Sequence, residues 1–275
     1  MTDYETGPAS IHAMNAMAQQ IETFGEKQHR VSRTLPTPKR LFKGAMAFDT
    51  VFLKSALFRA AIGPRAVYNE RVQVPAHGDN RVFFTGEELR QDDQRVLLAL
   101  IKMRFGLVVD HVIQFSPREF ARDVLKWADS GDSVAKLKAC IKRLRKAAIE
   151  VSYDNGSEGS YSFVTDYEME LDDRRWSVWL SPRLVTMFER ANPTFIDTSV
   201  RFKLGDSLAS WLMGFVSADA CFVDFKTSDL RDWSGQTGYE QKAFNRRLKA
   251  ELEKLVTEGV IRSFSFAGTK MHIYK

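Results

Sequence analysis

One order of elements occurs twice along this chain, and it restricts the possible folds more than any single residue does: helix, helix, turn, helix, then a hairpin. In the first copy, Arg81–Thr85 (RVFFT) reads as a strand ended by Gly86. Glu87–Arg104 follows as a helix. Its acidic opening turn suits the positive end of the helix dipole, and Val96, Leu97, Leu100 and Ile101 share one apolar face. Ser116–Trp127 opens with Ser then Pro, and Glu119 stands three residues after the Ser, so an N-cap, a first-turn proline and a capping box coincide. Asp129–Asp132 (DSGD) reads as a turn and Ser133–Ile149 as a third helix. Glu150–Tyr153 and Tyr161–Thr165 read as strands around the hairpin signal Asp154–Ser160, and Trp176–Leu180 as one more strand. The second copy runs through helices at Asp206–Phe215 and Ser228–Trp233, a turn at Ser234–Gly238, and a long helix at Tyr239–Glu258 ended by Gly259. It closes on the hairpin Ile261–Phe266 and Lys270–Tyr274.

The repeated layout predicts an α+β chain of two tandem winged helix-turn-helix domains. Residues 1–45 read as a flexible N-terminal segment with a basic, Pro-containing linker, 46–192 as the first domain and 193–275 as the second. Ile11–Phe24 could form a short helix with a thin apolar stripe. With 44% hydrophobic residues, filling two cores is no difficulty. Cys140 and Cys221 stand far apart on apolar stretches and read as buried thiols, not as a disulfide or a metal site. No apolar run is long enough to span a membrane and no export signal is visible, so a cytoplasmic chain with no membrane partner is expected.

Charge is concentrated in one place. Ser133–Ile149 (SVAKLKACIKRLRKAAI) holds six basic residues and no acid, so it carries more than the whole net charge of +5 and leaves −1 for the remainder. Wound as a helix, Leu137, Cys140, Ile141, Leu144 and Ala148 cluster on one side. Lys138, Lys142 and Lys146 line the other at i, i+4 and i+8, with Lys136 and Arg143 flanking them and Arg145 completing the set. Like charges at that spacing destabilise a helix by about 0.2–0.5 kcal/mol per pair, and solvated faces usually interleave acids. A polyanion lying against the helix is the economical explanation, and a nucleic-acid backbone is the obvious one. Lys136, Lys138, Lys142, Arg143, Arg145 and Lys146 are therefore the phosphate-binding candidates.

In the second long helix, Phe244, Leu248, Leu252 and Leu255 form the apolar stripe, with Tyr239, Lys242, Arg246 and Lys249 roughly opposite. Glu251, Glu253 and Glu258 leave the C-terminal half nearly neutral, so positive charge gathers where recognition helices meet base edges. Gln236, Thr237, Gln241, Asn245 and Arg246 add the right chemistry, since Arg pairs with guanine and Asn or Gln with adenine. The base-reading candidates are thus Gln236, Thr237, Tyr239, Gln241, Lys242, Asn245, Arg246 and Lys249.

Chemistry has no comparable support. His12, His29, His77, His111 and His272 never come within two residues of one another, and no phosphate-binding Gly-Lys loop occurs. Glu87, Glu88, Asp92 and Asp93 point around a helix start that favours acids anyway, so no metal, cofactor or catalytic role is expected.

Ser55–Phe58 (SALF), Val82–Asp93 (VFFTGEELRQDD), Phe115–Leu125 (FSPREFARDVL), the helix holding Lys138–Leu144 and Leu248–Val260 (LKAELEKLVTEGV) together resemble the TrfA-type plasmid replication initiators over most of residues 46–275. The resemblance implies two winged-helix domains that bind direct repeats (iterons) in double-stranded DNA at a plasmid origin, help open an AT-rich tract and recruit host helicase and initiator proteins. It also implies an inactive dimer in equilibrium with an active monomer, the first domain contributing to dimerisation. By position, Gln236 to Lys249 would be the major iteron reader and Lys136 to Lys146 the supporting helix. Lys39–Phe42 (KRLF) departs from the sliding-clamp-binding pattern found in some members. A winged-helix transcriptional regulator, or a partition or structural DNA-binding protein, would share the same binding physics.

Overall fold

Each copy of the repeat is built around one helix that is buried over most of its length, the second apolar on nearly every side and the first opening on five buried polar residues, Gln91 to Arg95, before its apolar run. A computed structural model describes residues 45–104, 112–170, 174–184, 193–219 and 223–275. In it, α2 (Gln91–Arg104) is buried from Gln91 through Ile101, and α6 (Leu208–Ser217) from Leu208 through Val216. Residues 1–44 lie outside the described residues, and with them fall the readings at Ile11–Phe24 and Lys39–Phe42; Cys221 is outside as well.

The first copy of the repeat is β4 (Ile113–Phe115), a helical turn α3 (Pro117–Glu119), α4 (Gly131–Lys146), β7 (Val164–Met169) and β8 (Trp176–Leu180), following α2. The second is α6, β10 (Val223–Lys226), α7 (Thr227–Trp233), α8 (Gln241–Thr257), β11 (Ser263–Ala267) and β12 (Lys270–Tyr274). Their sheets have the same order. β8 lies between β4 and β7, and β12 lies between β10 and β11, so in each copy the third strand in sequence is central. Both sheets are antiparallel.

A hairpin does follow the third helix, but its strands are β5 (Ala148–Ser152) and β6 (Glu158–Tyr161), so the expected second strand Tyr161–Thr165 contributes only Tyr161, and the hairpin belongs to another sheet. It extends the hairpin β2 (Val67–Val74) and β3 (Arg81–Glu87) into a four-stranded sheet of order β2-β3-β5-β6. The pair equivalent to the second copy's terminal hairpin is β7–β8 instead. A further pair joins β1 (Ala45–Phe48) to β9 (Thr194–Asp197), with the short helices α1 (Thr50–Leu53) and α5 (Thr198–Lys203) following them.

Several boundaries differ from the sequence reading for local reasons. α2 starts at Gln91, because Glu87 still pairs in β3 opposite Val67. Ser116 caps α3 through its hydroxyl and Pro117 takes the first position, as expected. The backbone then widens into a π turn over Phe120–Val124 and stops at Lys126, whose φ of 57° is left-handed, so no regular helix reaches Trp127. α4 starts at Gly131 and not at Ser133, because Ser130 caps it by accepting from Ser133 N at 3.3 Å, and it ends at Lys146, where Ala147 leaves the helix for β5. The β11–β12 loop is two residues long with Gly268 at φ 61°, the primed turn that matches strand twist.

Candidate nucleic-acid interface

The stripe on α4 forms as its periodicity dictates: Leu137, Cys140, Ile141 and Leu144 are fully buried. Lys138, Lys142, Arg145 and Lys146 are exposed, and among the described residues none of the four makes an ion pair. Lys136 is exposed but engaged, with Nζ 2.9 Å from Asp206 Oδ2 and 4.2 Å over the Trp127 ring.

Arg143 corrects the sequence reading. It is buried, and its Nε donates to Asp93 Oδ1 at 2.9 Å while Nη1 reaches Glu87 at 3.4 Å. It faces inward, so it is part of the protein's own ionic framework and not a phosphate ligand. Arg65 approaches the same acids from the opposite side, with Nη2 on both oxygens of Asp92 at 2.7 and 2.8 Å and Nη1 on Asp93 Oδ2 at 2.8 Å. Burial alone would raise Asp92, but the Arg65 charge and hydrogen bond outweigh it and hold the carboxyl below the usual range. Burial likewise opposes the charge on Arg143, and the adjacent Asp93 reverses the effect and leaves it above its ordinary value. Asp92, Asp93 and Cys140 lie close enough together to suggest a metal site. Two guanidiniums already stand where a cation would be held, so the cluster reads as an ion-pair centre. The acidic motif that carries the family likeness is thus an anchor between α2 and α4.

On α8, Phe244, Leu248, Leu252 and Leu255 are buried, while Lys242, Arg246 and Lys249 are exposed at i, i+4 and i+7 with no ion pair among the described residues. Thr237 is exposed in the preceding turn. Gln241 is half-buried; its Nε2 donates to Asn245 Oδ1 at 2.8 Å and to Thr227 Oγ1 at 3.1 Å, so it orients Asn245 and ties the helix start to α7. Half-buried Tyr239 accepts from Arg247 Nη1 at 2.8 Å.

Gln236 is the second correction. It is 1% exposed, and its Nε2 donates to the Ala60 carbonyl, so its amide is engaged inside the protein and cannot read a base. Glu251 also points inward, where its Oε2 accepts from Ala209 N at 3.2 Å and from Ser207 Oγ at 3.3 Å, at the start of α6.

Two cations that the sequence reading passed over stand beside the α8 start. Lys226 and Lys270 are directly opposed across β10 and β12, both exposed. Thr227, next to Lys226, takes the Gln241 hydrogen bond and donates its own N–H to Thr269 O at 2.9 Å. The available signal was their position as the residues flanking α7 and the final hairpin turn.

What results is a mixed α/β molecule with two topologically matched units, each presenting a helix with a row of outward cations that make no ion pair among the described residues: Lys138, Lys142, Arg145 and Lys146 on α4, and Lys242, Arg246 and Lys249 on α8. A crystal structure of domains 2 and 3 of RctB shares this fold at 12% identity and a TM-score of 0.53, covering 79% of this chain and 94% of that one. The chain belongs to the TrfA family of plasmid replication initiators; the family, described as TrfA protein, matches residues 25–263. A second RctB structure, of the same two domains, aligns at 15% identity and TM-score 0.47 over 72% of this chain and 81% of that one. The Pi initiator protein in complex with iteron DNA aligns at 12% identity and TM-score 0.47, covering 66% and 91%. No curated protein sequence matches the chain.

Proposed function

We propose that this initiator is a tandem winged-helix protein that binds direct repeats in double-stranded DNA at a plasmid origin, α8 reading bases and α4 holding phosphates. The observation that carries the reading is a pair of cationic faces without ion pairs among the described residues, Lys138, Lys142, Arg145 and Lys146 on one helix and Lys242, Arg246 and Lys249 on the other. Unrelieved like charge destabilises a lone helix, and phosphates relieve it. The shared strand order of the two three-stranded sheets supports the winged-helix assignment. Thr237, Asn245 and Arg246 are the base readers, with Tyr239, Gln241, Lys242 and Lys249 around them.

The protein acts by binding and not by catalysis, helps open an adjacent AT-rich tract, and recruits host helicase and initiator proteins. It works in the cytoplasm, in a monomer–dimer equilibrium. Among the described residues no helix is long and apolar enough to cross a membrane.

Selection of duplexes from a random library by the full chain, followed by maintenance of a plasmid carrying only this gene and its neighbouring DNA, tests the reading. A recovered site that recurs as direct repeats beside the gene, together with stable maintenance, is expected. A single inverted repeat over a promoter would point to regulation, and no preferred site at all to a structural role; either would overturn the proposal.

A further inference from the structure

Between the two units, residues Arg59 and Ala60 bond backwards and forwards at once. Arg59 N donates to Leu89 O at 2.9 Å and Gln91 N to Arg59 O at 3.2 Å, fastening the segment to the start of α2. Ala60 N donates to Ser234 O at 2.9 Å, and Gln236 Nε2 to Ala60 O, fastening it to the turn before α8. The Arg59 guanidinium donates to Glu88 Oε2 at 2.9 Å and to Tyr68 Oη at 3.2 Å. Its stem lies directly beneath Gly235: a Cβ there would collide with Arg59 Nε and meet its Cγ at 2.8 Å, and the backbone φ is +72°. Both facts demand glycine. Arg59 Nε is buried without a hydrogen-bond partner, held there by the packing of its stem against Gly235.

Polar contacts run on from this joint to both cationic helices. Glu88 Oε1 accepts from Arg90 Nε at 2.5 Å, Arg90 N donates to Asp93 Oδ2 at 2.8 Å, and Asp93 Oδ1 accepts from Arg143 on α4 at 2.9 Å. In the other direction Gln236 Oε1 accepts from Arg247 Nη1 on α8 at 3.3 Å, one residue from Arg246.

We propose that Arg59, Gly235 and Gln236 are positioning residues that fix the separation of α4 and α8, so that the joint selects the spacing between the two stretches of duplex these helices contact. The inference rests on the reading of the chain as a two-helix duplex binder. Packed and hydrogen-bonded supports hold a binding constellation to fractions of an ångström, and a rigid joint converts a change in DNA spacing into lost contacts. A slack joint follows the DNA instead.

The test uses the full chain and duplexes taken from the selection above. These are resynthesised with one or five base pairs inserted between the positions footprinted by α4 and by α8. Wild type is expected to lose about tenfold or more in affinity on either insertion, the scale of a disrupted base-pair contact. Gln236→Ala and Arg247→Met are expected to lose less than about threefold on insertion, while keeping wild-type affinity for a duplex carrying only the α8 stretch. Arg247 is half-buried on α8, so its variant keeps the test open if the buried substitution fails to fold. Folded variants that retain the full insertion penalty, or that lose affinity equally on every duplex, overturn the proposal. Wild type that binds its selected site but ignores insertions overturns it too and leaves the binding function standing; wild type that selects no duplex removes the binding function itself.

Discussion

Arg143 reaches from α4 into the first turn of α2, where its Nε donates to Asp93 Oδ1 at 2.9 Å on a carboxylate that is fully buried. Asp93 keeps Arg65 on its other oxygen at 2.8 Å, so removing Arg143 leaves one buried carboxylate oxygen without its donor and not the whole group without a counter-charge. Arg143→Ala is therefore expected to cost about 1–3 kcal/mol of stability. Lys142 is its immediate neighbour, exposed and without an ion pair among the described residues. Lys142→Ala should leave stability within about 0.5 kcal/mol and instead weaken the salt dependence of duplex binding by about 0.9 in slope. Urea denaturation and a salt titration of affinity, run on both variants, separate the two roles; equal stability losses would erase the distinction.

Lys226 and Lys270 face each other across an antiparallel pair. Like charges in that relationship cost about 0.2–1 kcal/mol, so Lys270→Gln is expected to stabilise the free protein by up to about that amount. If the opposed pair flanks the DNA-facing start of α8, the same substitution weakens duplex binding and lowers the salt slope. A thermal melt that fails to rise, with affinity untouched, would show that the pair is neither repelled nor used.

The parts of this molecule legible in the sequence are those whose cause is local. The burial of Leu137, Cys140, Ile141 and Leu144 follows from helical period alone, and the cap at Ser116 from the order Ser-Pro. Arg143 could not be told from Lys142 in that way, because its carboxylate partner lies 50 residues earlier in the chain. Gln236 has the composition of a base reader, and only a carbonyl 176 residues away, on Ala60, shows that its amide is already used. The β5–β6 hairpin was visible from its turn residues, while the sheet it joins depends on β3, a partner that no turn signal names.

Asp49 is fully buried at the start of α1, its Oδ1 accepting from Val51 N at 2.7 Å and its Oδ2 without a partner. Burial pushes it from an ordinary 3.8 up to about 6. Because the folded state prefers the protonated acid, its contribution is fully present below about pH 4 and is lost as pH rises through 6. The span of the shift corresponds to about 3 kcal/mol. Asp49→Asn is neutral throughout, so the stability of wild type relative to this variant should fall by that order between pH 4 and pH 7. Urea midpoints of the two proteins that stay parallel across this range would rule the effect out.

Arg246 and Lys138 should differ in what they discriminate. Arg246 is exposed in the second turn of α8, close behind Asn245, whose Oδ1 accepts from Gln241. A bidentate Arg–guanine contact is worth about 1–3 kcal/mol against the wrong base. Arg246→Ala is expected to lose that much affinity for the selected site and far less for unrelated duplex, which flattens the specificity ratio. Lys138 stands on the acid-free face of α4, where a compact ammonium supports phosphate attraction without sequence content. Lys138→Ala should weaken every duplex alike and leave the ratio unchanged. Competition titrations with specific and scrambled duplex at two salt concentrations read both numbers, and the reverse pattern would make α4 the reader and α8 the clamp.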